Sequence, residues 1–173
     1  QCHACFIVGP RDDLESILNH VPREGAIFCL GSGVGQDIGV LREEGAKLSG
    51  GGTASGPMSF LRSYDRMAGA VKSGGKSRRA ARMTTIRSDH PDITRFASDK
   101  VNEDYKMWLL IRAGVEAGMD GDAATTVAFQ NTNLSVRMTA EDFEAVKNGG
   151  KIKQFSVSTG EQTGEIDARD LLK

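Results

Sequence analysis

Short apolar runs alternate along this chain with apolar residues at helical spacing. Residues 4–8 (ACFIV) close at Gly9-Pro10 and predict a short buried strand. Asp12 then stands in an N-cap position ahead of Leu14, Ile17, Leu18 and Val21, whose spacing predicts a helix. Residues 26–30 are apolar and fit helix or strand equally well; they run into Gly31-Ser32-Gly33-Val34-Gly35, with a strand-like run over 38–41. Pro57 suits the first turn of a helix carrying Met58, Leu61, Tyr64, Met67, Ala68 and Val71, and Ser73-Gly74-Gly75 would cap its end. Residues 83–86 predict a strand, and Asp89-His90-Pro91-Asp92 opens a helix with acids at its positive end. A helix follows over 103–117, with Trp108, Leu109 and Ile111 on its apolar side. A strand is predicted over 127–138, a capping box at Thr139–Asp142 before a helix over 143–146, a strand over 152–157, and a new helix from Asp167. Strands alternating with helices across glycine-rich junctions imply an α/β architecture in a single domain spanning 1–173.

One stretch departs from this pattern. Residues 48–56 (LSGGGTASG) are almost entirely glycine, serine, threonine and alanine. Such a segment has high backbone entropy and little to bury, so it should be mobile unless a ligand orders it.

Composition narrows the class. Hydrophobic residues make up 39% and charged residues 26%, the balance of a soluble globular protein. No apolar run approaches the roughly 20 residues of a membrane span, and the opening QCHACFIVGP lacks the basic and long apolar regions of a signal peptide. A cytoplasmic setting is therefore expected. The chain opens on Gln and breaks off in an incipient helix, so a processed product or an excerpt is expected. A net charge of −1 argues against a nucleic-acid polymer as partner. Locally, however, Lys72, Lys76, Arg78, Arg79 and Arg82 cluster without an intervening acid. That cluster is either a solvated basic loop or a phosphate-binding one, with Gly74 and Gly75 leaving backbone amides open to an anion.

Cys2, Cys5 and Cys29 form no disulfide framework. Cys2-His3-Ala4-Cys5 lacks a second pair for zinc, a following histidine for haem, and the strand-to-helix setting of a thioredoxin motif. At least one of these thiols is expected to be an inert core residue. His3, His20 and His90 are scattered, so no metal site is expected. Gly31, Gly33 and Gly35 have the wrong spacing for a dinucleotide fold and read instead as a turn with close backbone approach. From the residues alone, the chain is an α/β domain with two glycine-rich, anion-facing loops and a strand cysteine, suited to a nucleotide-like or phosphate-bearing ligand.

Residues 50–65 (GGGTASGPMSFLRSYD), 70–83 (AVKSGGKSRRAARM) and 89–93 (DHPDI) closely resemble the middle of class II, adenosylcobalamin-dependent ribonucleotide reductases. Ala4-Cys5-Phe6, Gly31–Gly35 and residues 130–138 (QNTNLSVRM) agree in order and spacing, so the resemblance runs over nearly the whole chain. It implies the first half of a ten-stranded α/β barrel of the reductase type. It also implies reduction of ribonucleotides to deoxyribonucleotides by thiyl radical chemistry that adenosylcobalamin initiates. By the same resemblance, Cys5 is one of two thiols that reduce the substrate and become a disulfide. Ala4, Ser32 and Gly33 line the substrate, while Cys2 has no counterpart.

Asp12 and Arg42 correspond to residues holding a deoxynucleoside triphosphate effector, Asp12 on the sugar and Arg42 on the phosphates, with Asp12 also serving as cap. Residues 47–55 correspond to the first specificity loop, with Lys47 and Ser49 as effector contacts. Residues 73–81 correspond to the second, carried by Gly74, Gly75, Lys76, Ser77, Arg78 and Arg79; its 76–79 portion is a residue longer than the commonest family pattern. The helix from Pro57 and the helix near Trp108 correspond to those that pair in a homodimer. In the family the radical cysteine, its Asn and Glu neighbours and the second reducing cysteine lie beyond position 173. The chain then needs the missing C-terminal half of the barrel and is inactive alone. The alternative is a non-catalytic, dimeric deoxynucleotide-binding module.

Overall fold

The computed structural model describes residues 4–71, 81–118 and 120–172. The elements run β1 (Cys5–Ile7), α1 (Leu14–Cys29), β2 (Gly33–Asp37), α2 (Gly56–Ala70), β3 (Arg82–Arg87), α3 (Ile93–Arg112), α4 (Asp122–Thr126), β4 (Thr132–Arg137), α5 (Ala140–Asn148), β5 (Lys151–Phe155) and β6 (Gln162–Asp167), then a 3-10 turn at Asp170–Leu172.

β1 to β4 form one parallel sheet in the order of the chain, with Cys5 opposite Gly33, Gly35 opposite Met83 and Met83 opposite Asn133. Parallel neighbours need long crossovers, and α1, α2 and the α3–α4 pair supply them. Sequential parallel strands with helices between them are how an α/β barrel is laid down. Here the sheet is open. A separate antiparallel hairpin, β5–β6, follows.

The two faces of the sheet differ. Val34 packs with Phe28 and Ala68, and Ile86 joins a core of Ile38, Leu41, Met58, Leu61, Tyr64, Ile93, Phe96 and Phe129. The other face carries Cys5, Gly33, Gly35 and Met83, and it is uncovered: Ile7 is 93% exposed and Met83 49%.

Several expectations change. The cap of α1 is Asp13, whose carboxylate accepts the Ser16 N–H at 2.7 Å, because Asp12 is turned to Arg42 instead. Residues 26–30 mostly complete α1, whose apolar side buries Phe28. The second strand is Gly33–Asp37, not 38–41. Its glycines fit a strand whose neighbours approach closely, while Ile38 and Leu41 turn into the core. One helix, α3, spans the region read as two, and its Trp108, Leu109 and Ile111 stay partly exposed because nothing in the described chain covers them. β4 begins only at Thr132, since Val127–Phe129 are buried in the turn after α4. The capping box is present, with Asp142 accepting from Thr139 N–H and Thr139 Oγ1 from Asp142 N–H. β6 ends at Asp167, where a last helix was expected to start, and the described part of that stretch forms only a 3-10 turn at Asp170–Leu172. No helix among the described residues is long and apolar enough to cross a membrane.

Candidate functional site

Two features stand out, one on β1 and β2 and the other at the start of α1. The first is a strip without side-chain bulk on the uncovered face. Cys5 opens β1 and pairs with Gly33, whose N–H reaches the Ala4 carbonyl at 2.8 Å. A Cβ placed on Gly33 would stand 3.4 Å from Cys5 Sγ and 3.2 Å from the Ala81 carbonyl. The Gly33 backbone therefore lies bare between the thiol and Ala81, and Gly35 leaves a second bare position on β2 between Ile7 and Met83. Ala4 and Cys5 are exposed, whereas Ser32 is buried. The expected substrate residues Ala4, Cys5, Ser32 and Gly33 are thus brought together, and the thiol is accessible, which exchange with a partner sulfur requires.

The second feature is a cavity of about 270 Å³ at the start of α1. Asp12, Ile17, Leu41, Arg42, Leu48 and Thr53 are among its walls. Asp12 accepts the Arg42 N–H at 3.1 Å and holds Nε and one terminal nitrogen at 2.8 Å each. The pair is half-buried: one Asp12 oxygen accepts from two guanidinium nitrogens and the other from the Arg42 backbone, so a charge-assisted contact fixes the guanidinium at the rim.

Residues 47–53 fold back as a small hairpin, bridged between Lys47 and Thr53, with the Leu48 N–H donating to the Gly52 carbonyl at 3.2 Å. Gly51 and Gly52 take φ of 88° and 85°, a region open mainly to glycine. Lys47 and Ser49 are exposed on this hairpin and do not line the cavity, while Leu48 and Thr53 do. The expected residues Gly74, Gly75, Lys76, Ser77, Arg78 and Arg79 lie outside the described residues.

The segment carrying Arg42 is braced by residues that sequence reading missed. His90 Nε2 lies 2.9 Å from the Leu41 carbonyl, and its Nδ1 accepts the Asp92 N–H at 3.0 Å. An acceptor Nδ1 leaves Nε2 as the protonated nitrogen, so the ring donates to Leu41 and is fully used. Glu43 accepts from Ser156 Oγ at 2.6 Å and Val157 N–H at 3.0 Å, docking the β5–β6 hairpin onto the same segment. Burial alone would raise the Glu43 carboxyl, but the Ser156 hydroxyl and backbone N–H donors outweigh it and hold the group below the usual range. DHPDI marked His90 as part of a helix start and of the resemblance, without its bracing role, and nothing local signalled Glu43, because its partners lie far along the chain.

A family model described as the ribonucleotide reductase barrel domain matches residues 3–170. The chain belongs to the ribonucleotide reductase barrel family. It is 45% identical over all 173 residues to the vitamin B12-dependent ribonucleotide reductase of Streptomyces avermitilis, covering 18% of that protein. It is 48% identical over 147 residues, 85% of this chain, to the enzyme of the same name from Rhodopirellula baltica, covering 14% of that relative. A vitamin B12-dependent ribonucleoside-diphosphate reductase of Mycobacterium tuberculosis is 32% identical over 168 residues, which is 96% of this chain and 21% of the relative. The chain thus spans about a fifth of the length of such relatives. Within a reductase barrel, four consecutive parallel strands with one uncovered face are an arc of the wall, and the strip beside Cys5 lies on the uncovered side of that arc.

Proposed function

We propose that this reductase barrel segment supplies the first reducing thiol and the effector cavity of a ribonucleotide reductase, and that the rest of the protein completes the reaction. The observation that carries this reading is the exposed Cys5 thiol beside a strip that Gly33 keeps bare. A ribose laid on that strip can approach main-chain groups and the sulfur together. In the overall reaction the 2′-hydroxyl leaves as water, the ribonucleotide gains two electrons, and two thiols become one disulfide. Cys5 is one of those thiols, and the other lies outside this chain.

The cavity bounded by Asp12 and Arg42 takes a deoxynucleoside triphosphate, with the sugar against Asp12 and the phosphates toward Arg42. Lys47 and Ser49 would close over it from the hairpin, and Gly74, Gly75, Lys76, Ser77, Arg78 and Arg79 would carry the signal to the substrate base. A homodimer through α2 and α3 is supported by the exposed Tyr105 and Trp108, whose rings stack 5.7 Å apart on α3.

The relatives are named as vitamin B12-dependent, and adenosylcobalamin would supply the radical in the complete protein. Within the described residues His90 is buried with both ring nitrogens engaged, so it does not offer a free imidazole to such a cofactor. The cofactor's contacts would fall mostly outside this chain.

A second reading, a deoxynucleotide-binding dimeric module without catalysis, draws on the effector cavity, whose Asp12–Arg42 pair stands within this chain alone. Replacing Cys5 with serine in the full-length protein separates the two. The first reading expects ribonucleotide reduction to disappear while deoxynucleotide binding persists. Undiminished turnover would overturn it.

A further inference from the structure

α5 ends at Asn148, and Gly149 follows with φ of 67° and ψ of 35°, the left-handed conformation that stops a helix and that glycine takes without strain. The Gly149 and Gly150 N–H groups both donate to the Ala145 carbonyl, the second at 2.7 Å. This stop leaves an Asn-Gly peptide bond at the surface. The Asn148 side chain is exposed and has no hydrogen-bond partner among the described residues.

An asparagine followed by glycine holds an electrophile and a nucleophile within reach of each other. The Gly149 backbone nitrogen, on losing its proton, attacks Asn148 Cγ. The new N–Cγ bond closes a five-membered succinimide, the Cγ–Nδ2 bond breaks, and the side-chain nitrogen leaves as ammonia with the transferred proton. Water then opens the ring. Hydrolysis at Cγ gives aspartate; hydrolysis at the main-chain carbonyl carbon gives isoaspartate, whose backbone runs through the side chain. Amide and water become carboxylate and ammonium, so neither oxidant nor reductant is consumed. Glycine obstructs the closure least, because it has no Cβ.

The folded helix end opposes that closure. The Gly149 N–H is engaged with Ala145, and ring closure requires Asn148 to leave the helical backbone region that α5 imposes. Burial does little to hold this turn, since α5 has no buried residue. Arg169 holds it instead. Its Nε donates to the Val146 carbonyl at 3.1 Å and a terminal nitrogen donates to the Lys147 carbonyl at 3.2 Å. Both are carbonyls that a helix C-terminus leaves without intrahelical partners. The same guanidinium stands 3.4 Å from the Cβ position of Gly149, and the Arg169 N–H is fixed to Asp167 Oδ1 at 2.8 Å.

We infer that Asn148–Gly149 is a site of spontaneous deamidation whose rate Arg169 sets by controlling the opening of the last turn of α5. The inference is independent of the reductase reading. The place of the site gives the modification its consequence. Gly150 accepts the Ala168 N–H at 3.0 Å, so this joint ties α5 to the β5–β6 hairpin, which is docked on Glu43. Isoaspartate lengthens the joint by one backbone atom, and either product sets a negative charge at a helix C-terminus, where it is unfavourable.

The test incubates the full-length protein in mildly alkaline buffer, folded and in urea, beside Arg169→Ala and Arg169→Lys. Digestion, chromatography and mass spectrometry then resolve asparagine, aspartate and isoaspartate in the peptide containing residues 148–149. The expected result is conversion to both products in urea, and conversion about tenfold slower or more in the folded protein. Folded Arg169→Ala should recover most of that difference with little change in denaturant midpoint, because it loses two charge-assisted hydrogen bonds at an exposed helix end. Arg169→Lys keeps the charge without the fork and should fall between the two. Should Arg169→Ala fail to fold, Arg169→Lys decides. The inference is overturned by no conversion in urea, by equal rates in the folded and unfolded protein, or by a folded variant that converts no faster than the unaltered protein. An acceleration matched by an equal loss of global stability overturns it as well.

Discussion

Cys5 Sγ lies 3.4 Å from the point where a side chain on Gly33 would begin. The thiol and the glycine face each other across two paired strands, so the space beside the sulfur exists only while position 33 carries no side chain. Gly33→Val fills it. With a displacement near 1 Å at the reacting centre able to cost about 10²-fold, kcat/KM for reduction in the full-length protein should fall by about that factor. Deoxynucleotide affinity, measured at the separate cavity, should not move. An equal loss of both would indicate collapse of the sheet instead.

Gly56 begins α2 with φ of 74°, and a Cβ there would meet Glu44 Cβ at 2.9 Å and its backbone N at 3.0 Å. Both the conformation and the space forbid a side chain. Gly56→Ala should destabilise the protein by about 1–3 kcal/mol, read as a lower denaturant midpoint. It should also weaken nucleotide binding, because Gly56 is part of the cavity wall.

Arg82 is buried against Glu24, so Arg82→Ala strands a buried carboxylate there, and the expected loss is about 3–5 kcal/mol of stability. Replacing both partners with methionine removes the stranded charge along with the pair, so most of that loss should be recovered. Denaturant titration of the single and double variants checks this directly.

Glu103 joins α3 to its surroundings, accepting from Lys106 Nζ at 2.7 Å, Ala128 N–H at 2.9 Å and Arg62 at 3.1 Å. Burial pushes its carboxyl up, but those donors and the Arg62 charge outweigh it and bring the group down to about 2, from an ordinary value of 4.5. A carboxyl lowered on folding adds stability above its unfolded value and loses it as pH falls toward the folded one. Stability should therefore drop between pH 4.5 and about 2. Glu103→Gln should flatten that part of the profile, with its own destabilisation largest near neutrality. An unchanged acid slope in the variant would contradict the assignment.

How much of this was legible beforehand follows from the range of the forces involved. α2 was readable because Pro57 and the spacing of Met58, Leu61 and Tyr64 are local signals. The capping box at Thr139 was readable for the same reason. β2 was misplaced because GVGQD has no apolar alternation; its strand character comes from the neighbours Cys5–Ile7 and Arg82–Arg87, which no window of sequence contains. β6 was missed because QTGEID carries one apolar residue and is specified by pairing with β5. At the site, motif resemblance brought out Cys5, Asp12, Arg42 and Gly33; the structure pairs Cys5 with Gly33 across two strands and Asp12 with Arg42 at a separate cavity. Arg82 was read as part of a solvated or phosphate-binding basic loop, but it is buried on Glu24; its pairing and those of Glu43 and His90 join residues distant in sequence and exist only after folding.

The central claim is that Cys5 gives up its hydrogen and becomes half of a disulfide as substrate is reduced. The direct measurement is a single turnover of the full-length protein with ribonucleotide and no external reductant, followed by alkylation and peptide mapping of Cys5. The account predicts loss of the alkylatable Cys5 thiol in step with deoxynucleotide formed, and its return on adding a dithiol. A Cys5 thiol still fully alkylatable after product has formed would contradict it.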